Sequence, residues 1–165
     1  KPISRHRFTE TLEKLENRNF SSQLVPIILS NSAEIQSPLP LILLAEDNDV
    51  NITAISNYLL AYHYRLILAN NGQDAVRLAL SEHPDLILMD ISMPGMDGLK
   101  AMKIIRSNPQ FSQTPIIALT ALAMSSDREK CLNAGATDYI TKPVQLKFLV
   151  TRIQELLRKN GSSAL

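Results

Sequence analysis

Glu46, Asp47, Asp90, Thr120 and Lys142 each stand at or just beyond the end of an apolar run: Leu41–Ala45, Ile87–Met89, Pro115–Leu119 and Thr137–Ile140. Three acids gathered in one place strongly resist joint ionisation, so a cluster of Glu46, Asp47 and Asp90 calls for a compensating charge. Mg²⁺, or Mn²⁺ in its place, meets that need. A hard cation of this kind accepts carboxylates, a carbonyl and waters, and leaves positions open to phosphate oxygens. Lys142 contributes a fixed ammonium and Thr120 a hydroxyl. Phosphoryl transfer asks mainly for positioning and for neutralisation of the equatorial oxygens, so such a site suits attack on phosphorus. Asp90 is then the nucleophile and an acyl phosphate the product.

These residues converge only if the intervening chain delivers them to one rim. Leu41–Ala45 is continuously apolar, as a parallel strand buried on both faces is. Ile52, Ile55, Leu59 and Tyr62 follow at helical spacing. The alternation repeats: strands at Tyr64–Ala69, Leu86–Met89, Pro115–Leu119 and Thr137–Ile140, and helices through Ala75–Leu80, Leu99–Ile105, Arg128–Asn133 and Leu146–Leu156. Gly135 is placed to stop the fourth of these helices, and Asp97 to cap the third. Five strand–helix units predict an α/β fold, a doubly wound five-stranded parallel sheet in the flavodoxin-like order 2-1-3-4-5. In that order the first and third strands are neighbours at the switch point, and they carry Asp47 and Asp90.

Glu46-Asp47, Asp90 with Met93-Pro94 and Asp97-Gly98, Thr120-Ala121 and Lys142-Pro143 together resemble the signature of response-regulator receiver domains. The spacings of 30 residues from Asp90 to Thr120 and 22 from Thr120 to Lys142 resemble that family's too. The resemblance spans Pro40 to Lys159. It implies a phosphorelay receiver in two-component signal transduction, with Asp90 as phosphoacceptor and a phospho-histidine as donor. Mg²⁺ would be held by Asp47, Asp90 and the Ser92 backbone carbonyl, with Glu46 assisting. Thr120 would close on the phosphoryl group and Tyr139 rotate inward with it, signalling through the face built from the fourth helix, fifth strand and fifth helix. Its implied partners are a sensor histidine kinase domain and a histidine phosphotransfer protein, with a homodimer as a further expectation. Such a receiver catalyses only its own phosphorylation and slow hydrolysis. The run from Glu46 to Asn51 looks most like receivers fused to hybrid sensor kinases, which implies a cytoplasmic setting with a parent chain that can be membrane-anchored.

Residues 1–17 echo the end of the same pattern. Lys1-Pro2-Ile3 aligns with Lys142-Pro143-Val144 at a shift of 141, and Phe8, Leu12 and Leu15 then fall on Leu149, Ile153 and Leu156. This predicts the C-terminal helix of a preceding receiver, from a parent chain with tandem receivers, then a linker over 18–39, the receiver over 40–159 and a tail over 160–165. His6 lacks the acidic neighbour and following proline of kinase histidine boxes and aligns with Lys147, so it reads as a surface residue. His63 and His83 read the same way.

Bulk composition narrows the alternatives. The chain has 165 residues, 45% of them apolar, enough for one ordinary domain with a core and an appendage. Residues 39–165 carry twelve basic and twelve acidic side chains, a balance that argues against a broad nucleic-acid or membrane footprint. Cys131 is the single cysteine, which excludes an intrachain disulfide and a cysteine metal cluster. There is no Walker loop and no Gly-x-Gly-x-x-Gly. Two other functions compete. A phosphatase of the haloacid dehalogenase type also uses an Asp nucleophile with Mg²⁺, but such enzymes carry a second Asp two positions on, where this chain has Ser92. A pseudo-receiver acting only as a docking surface would not need the intact acid, threonine and lysine set.

Overall fold

The computed structural model describes residues 39–121 and 125–161. The expectations placed on residues 1–38 and on the last four residues lie outside it. Five strands, β1 (Leu41–Ala45), β2 (Arg65–Ala69), β3 (Leu86–Asp90), β4 (Ile116–Thr120) and β5 (Asp138–Thr141), form one sheet in the order β2-β1-β3-β4-β5. Every pairing is parallel. The strands alternate with α1 (Asp49–Ala61), α2 (Gly72–Glu82), α3 (Gly98–Ser107), α4 (Ser125–Asn133) and α5 (Leu146–Gly161). A short 3₁₀ turn, Pro109–Phe111, precedes β4.

Alternate residues of the central strands feed two cores. Leu43, Ala45, Ile87, Met89 and Ala118 pack with Ala75, Ala79, Met102 and Ile105 of α2 and α3 and with Cys131 of α4. Ile42, Leu44, Leu88, Ile117 and Leu119 pack with Ile55 and Leu59 of α1 and with Leu149, Ile153 and Leu156 of α5. Both faces are therefore covered, and β1, β3 and β4 are buried along their whole length, which is why they read as unbroken apolar runs.

Helix starts follow side-chain chemistry. Asn48, Asn71 and Asp97 cap α1, α2 and α3, each accepting from a backbone N–H in the first turn. Gly135, at φ 100°, follows the end of α4 as expected. His63 and His83 take left-handed conformations just after α1 and α2, and both are exposed.

Boundaries moved by a residue. Tyr64, Pro115 and Thr137 lie before their strands, while Asp90, Thr120 and Thr141 are the last residues of theirs. Proline has no N–H for a ladder, so β4 starts after it. Pro143 follows a cis peptide bond from Lys142, and α5 opens at Leu146, the first apolar residue of the expected last helix.

Candidate functional site

Parallel pairing sets the carboxyl ends of β1, β3, β4 and β5 along one rim. Ala45 is opposite Met89, Asp90 opposite Leu119, and Thr120 opposite Thr141. The residues just beyond are thereby delivered together. Glu46 extends the β1 pairing by donating its backbone N–H to the Ala69 carbonyl.

One carboxylate oxygen each from Glu46, Asp47 and Asp90 lies within 4.8 Å of the others. Glu46 is 1% and Asp90 2% exposed, whereas Asp47 faces solvent. Lys142 reaches into the cluster from the loop after β5. Its Nζ donates to Asp90 Oδ2 and to Glu46 Oε2, both at 2.8 Å. Its backbone N–H donates to the Thr120 carbonyl at 2.7 Å, fixing the lysine to the end of β4. Burial alone would pull the Lys142 ammonium down, but the hydrogen bonds and charges of Asp90 and Glu46 outweigh it and hold its pKa above the ordinary lysine value.

The other carboxylate oxygens are also engaged. Asp90 Oδ1 accepts from the Ser92 N–H at 3.0 Å. Glu46 Oε1 accepts from the Asn51 side-chain amide at 3.1 Å and from the Asn48 N–H at 3.3 Å. Asp47 has no hydrogen-bonding or ion-pair partner among the described residues.

The segment over Asp90 is held at two points. Gly98 N–H donates to the Ile91 carbonyl and Gly72 N–H to the Met96 carbonyl, both at 3.2 Å. A Cβ on Gly98 would stand 2.1 Å from the Asp90 carbonyl oxygen, so only glycine lets α3 start this close to the strand end. Met93 is buried and Met96 packs against the core, both as packing residues.

Four of the expected site residues, Glu46, Asp47, Asp90 and Lys142, are thus in direct proximity. Thr120 is fully buried at the end of the neighbouring strand. Tyr139 lies elsewhere, opposite Ala118 in the sheet, half-buried against the α2–α3 core with the Arg128 guanidinium 5.9 Å from its ring centre. Sequence reasoning did not find Asn51 or Arg106. The half-buried Arg106 guanidinium donates to the carbonyls of Phe111, Thr114 and Gly135 and to Thr137 Oγ1, tying the loops before β4 and β5 to the end of α3.

The donor set can be tested against a divalent cation. Three carboxylates face one ammonium, one of them is unpartnered, and all are hard oxygen donors. The residues fit such an ion.

Comparison with known proteins agrees with this geometry. The family profile described as response regulator receiver domain matches residues 42–154. The polar-differentiation response regulator DivK of Brucella ovis is 34% identical over 116 residues, 70% of this chain and 94% of DivK. The response regulator PleD of Caulobacter vibrioides is 34% identical over 117 residues, 71% of this chain and 26% of PleD. Among solved structures, the receiver domain of sensor histidine kinase PA1611 from Pseudomonas aeruginosa, described with a magnesium ion coordinated in its active site cleft, superposes with a TM-score of 0.68. It is 43% identical, and the match covers 72% of this chain and 98% of that one. A putative response regulator from Chloroflexus aurantiacus has a TM-score of 0.70 at 29% identity, covering 73% and 98%. The chain belongs to the response regulator receiver domain family, and its folded domain is a receiver of two-component phosphorelay signalling.

Proposed function

We propose that Asp90 is the residue that accepts the phosphoryl group, from a phospho-histidine on a sensor kinase or phosphotransfer protein. One observation carries this reading: Asp90 ends the central strand β3, buried, with one oxygen held by Lys142 and the other by the Ser92 N–H. A carboxylate oxygen of Asp90 forms a bond to phosphorus while the donor's P–N bond breaks, and the imidazole leaves with a proton. Lys142 commits two of its three N–H donors to carboxylates, which leaves one for a phosphoryl oxygen. Mg²⁺ or Mn²⁺, held by Asp47, Asp90 and the Ser92 carbonyl with Glu46 assisting, supplies neutralisation of the equatorial oxygens when bound.

Thr120 and Tyr139 are proposed as the switch. A Thr120 hydroxyl drawn toward the phosphoryl group frees space beside β4, and Tyr139 on the adjacent strand turns into it. That movement alters the face of α4, β5 and α5, the surface proposed to meet the next protein of the relay or a second copy of the domain. The match of Lys1–Leu15 to Lys142–Leu156 supports a tandem arrangement in which another receiver precedes this one.

Incubation with Mg²⁺ and acetyl phosphate, followed by intact-mass measurement, tests the proposal. The expected product is one acid-stable, base-labile phosphoryl adduct, absent in Asp90→Asn. Steady turnover of many phosphomonoesters would point to a phosphatase instead. An unmodified mass even with a cognate kinase would leave only a docking module.

A further inference from the structure

Glu46 is the least exposed acid of the cluster, and three donors hold its carboxylate. Oε2 faces Lys142 at 2.8 Å. Oε1 faces the Asn51 amide at 3.1 Å and the Asn48 N–H at the longer 3.3 Å. Its backbone is already fixed by the bond to Ala69, so the remaining freedom of Glu46 is in its own side-chain torsions. Two side chains restrict it, Lys142 at Oε2 and Asn51 at Oε1.

Asn51 is itself well anchored. Its N–H donates to the Asn48 side chain at 3.1 Å, in the cap that starts α1. Asn51 also shares the wall of a cavity of about 500 Å³ with Lys142, Pro143 and Val144. A chain of contacts results: the Asn48 cap places Asn51, Asn51 orients Glu46, and Glu46 shares Lys142 with Asp90.

We propose that Asn51 is a positioning residue for phosphoryl acceptance: by donating to Glu46 Oε1 it aims Oε2 at Lys142 and so sets how the ammonium is divided between Glu46 and Asp90. This rests on the reading of Asp90 as acceptor. Without the amide, Glu46 turns in its pocket, and Lys142 follows it or settles wholly on Asp90. Either way the lysine is misplaced for an incoming phosphoryl oxygen. Small misplacements of an electrostatic group cost rate steeply.

Two variants of the full chain test this. Asn51→Ala removes the donor, and alanine suits a helix. Asn51→Asp keeps the shape but replaces the donor with an acceptor. Both are expected to lower the rate of adduct formation from acetyl phosphate roughly tenfold, about 1.4 kcal/mol in barrier. Both are also expected to shift the Lys142 side-chain NMR signal in the absence of metal and of phosphodonor. A wild-type rate or an unmoved Lys142 signal in either variant overturns the inference, including the case where Asn51→Asp alone behaves normally, which would mark a packing role. If the unmutated chain takes no phosphoryl group, the reading of Asp90 fails, and the Lys142 signal still decides the role of Asn51.

Discussion

Lys142 Nζ lies 2.8 Å from Asp90 Oδ2, and the two residues are 52 positions apart in the chain. The contact pairs the loop after an edge strand with the end of a central one, and a second bond of equal length to Glu46 makes the lysine the shared cation of two buried acids. Lys142→Ala leaves both carboxylates without it. Breaking a fully buried pair costs about 3–5 kcal/mol, and the 20% exposure of the lysine side chain brings the expected loss to roughly 1–3 kcal/mol in metal-free protein. Urea unfolding with and without Mg²⁺ checks this. The variant should still bind Mg²⁺ by titration calorimetry and regain part of the loss, but phosphorylation should no longer move the Tyr139 resonances.

The same ion pairs give a pH signature. The folded-state pKa of Lys142 is raised, so the folded protein holds that proton more tightly than the unfolded chain does. Its stabilisation is complete below the ordinary lysine value of about 10.4 and is lost as pH rises through the higher folded value. Metal-free protein should therefore lose stability at alkaline pH, and Lys142→Met should flatten that limb of the curve. Parallel alkaline limbs in the two proteins would contradict the assignment.

At Gly98 space, not charge, governs the approach to Asp90. A methyl group there meets the Asp90 carbonyl oxygen at 2.1 Å, so Gly98→Ala must push α3 away from the end of β3. Overpacking of this kind costs about 1–3 kcal/mol. The expected outcome is a lower urea midpoint together with slower adduct formation, because the Ser92 N–H that holds Asp90 Oδ1 lies on the loop that leads into α3.

Arg106 separates stability from chemistry. Its guanidinium satisfies three carbonyls at the amino ends of β4 and β5, the rim opposite the acids. Burial lowers its pKa. Arg106→Met strands the Thr114 and Gly135 carbonyls, while that of Phe111 keeps the Thr114 N–H, and should cost about 2–4 kcal/mol. Adduct formation by the remaining folded protein should be unchanged.

Much of this architecture was legible from residue order. Continuous apolar runs mark β1, β3 and β4 because helices cover both faces of the sheet, and the acids, threonine and lysine stand at strand ends because parallel strands share one rim. The single residues that support the site were harder to read. Asn51 binds Glu46 across the start of a helix, five positions away, a contact set by side-chain direction and not by period. Arg106 looks like any basic residue in a last helical turn until the 3₁₀ turn and the Gly135 loop fold over it. Gly98 was visible as part of a motif, but the reason for it, the 2.1 Å approach to Asp90, exists only in three dimensions.

The central claim is that one aspartate takes the phosphoryl group. Borohydride reduces an acyl phosphate to the alcohol, so reduction after exposure to phosphodonor and Mg²⁺, followed by peptide sequencing in a mass spectrometer, converts the acceptor into homoserine and marks its position. Homoserine at position 90 alone is the predicted result. Homoserine at 47 or 97, the five-carbon alcohol 2-amino-5-hydroxypentanoate at position 46, or neither at any position in protein that carries a phosphoryl group, would contradict the account.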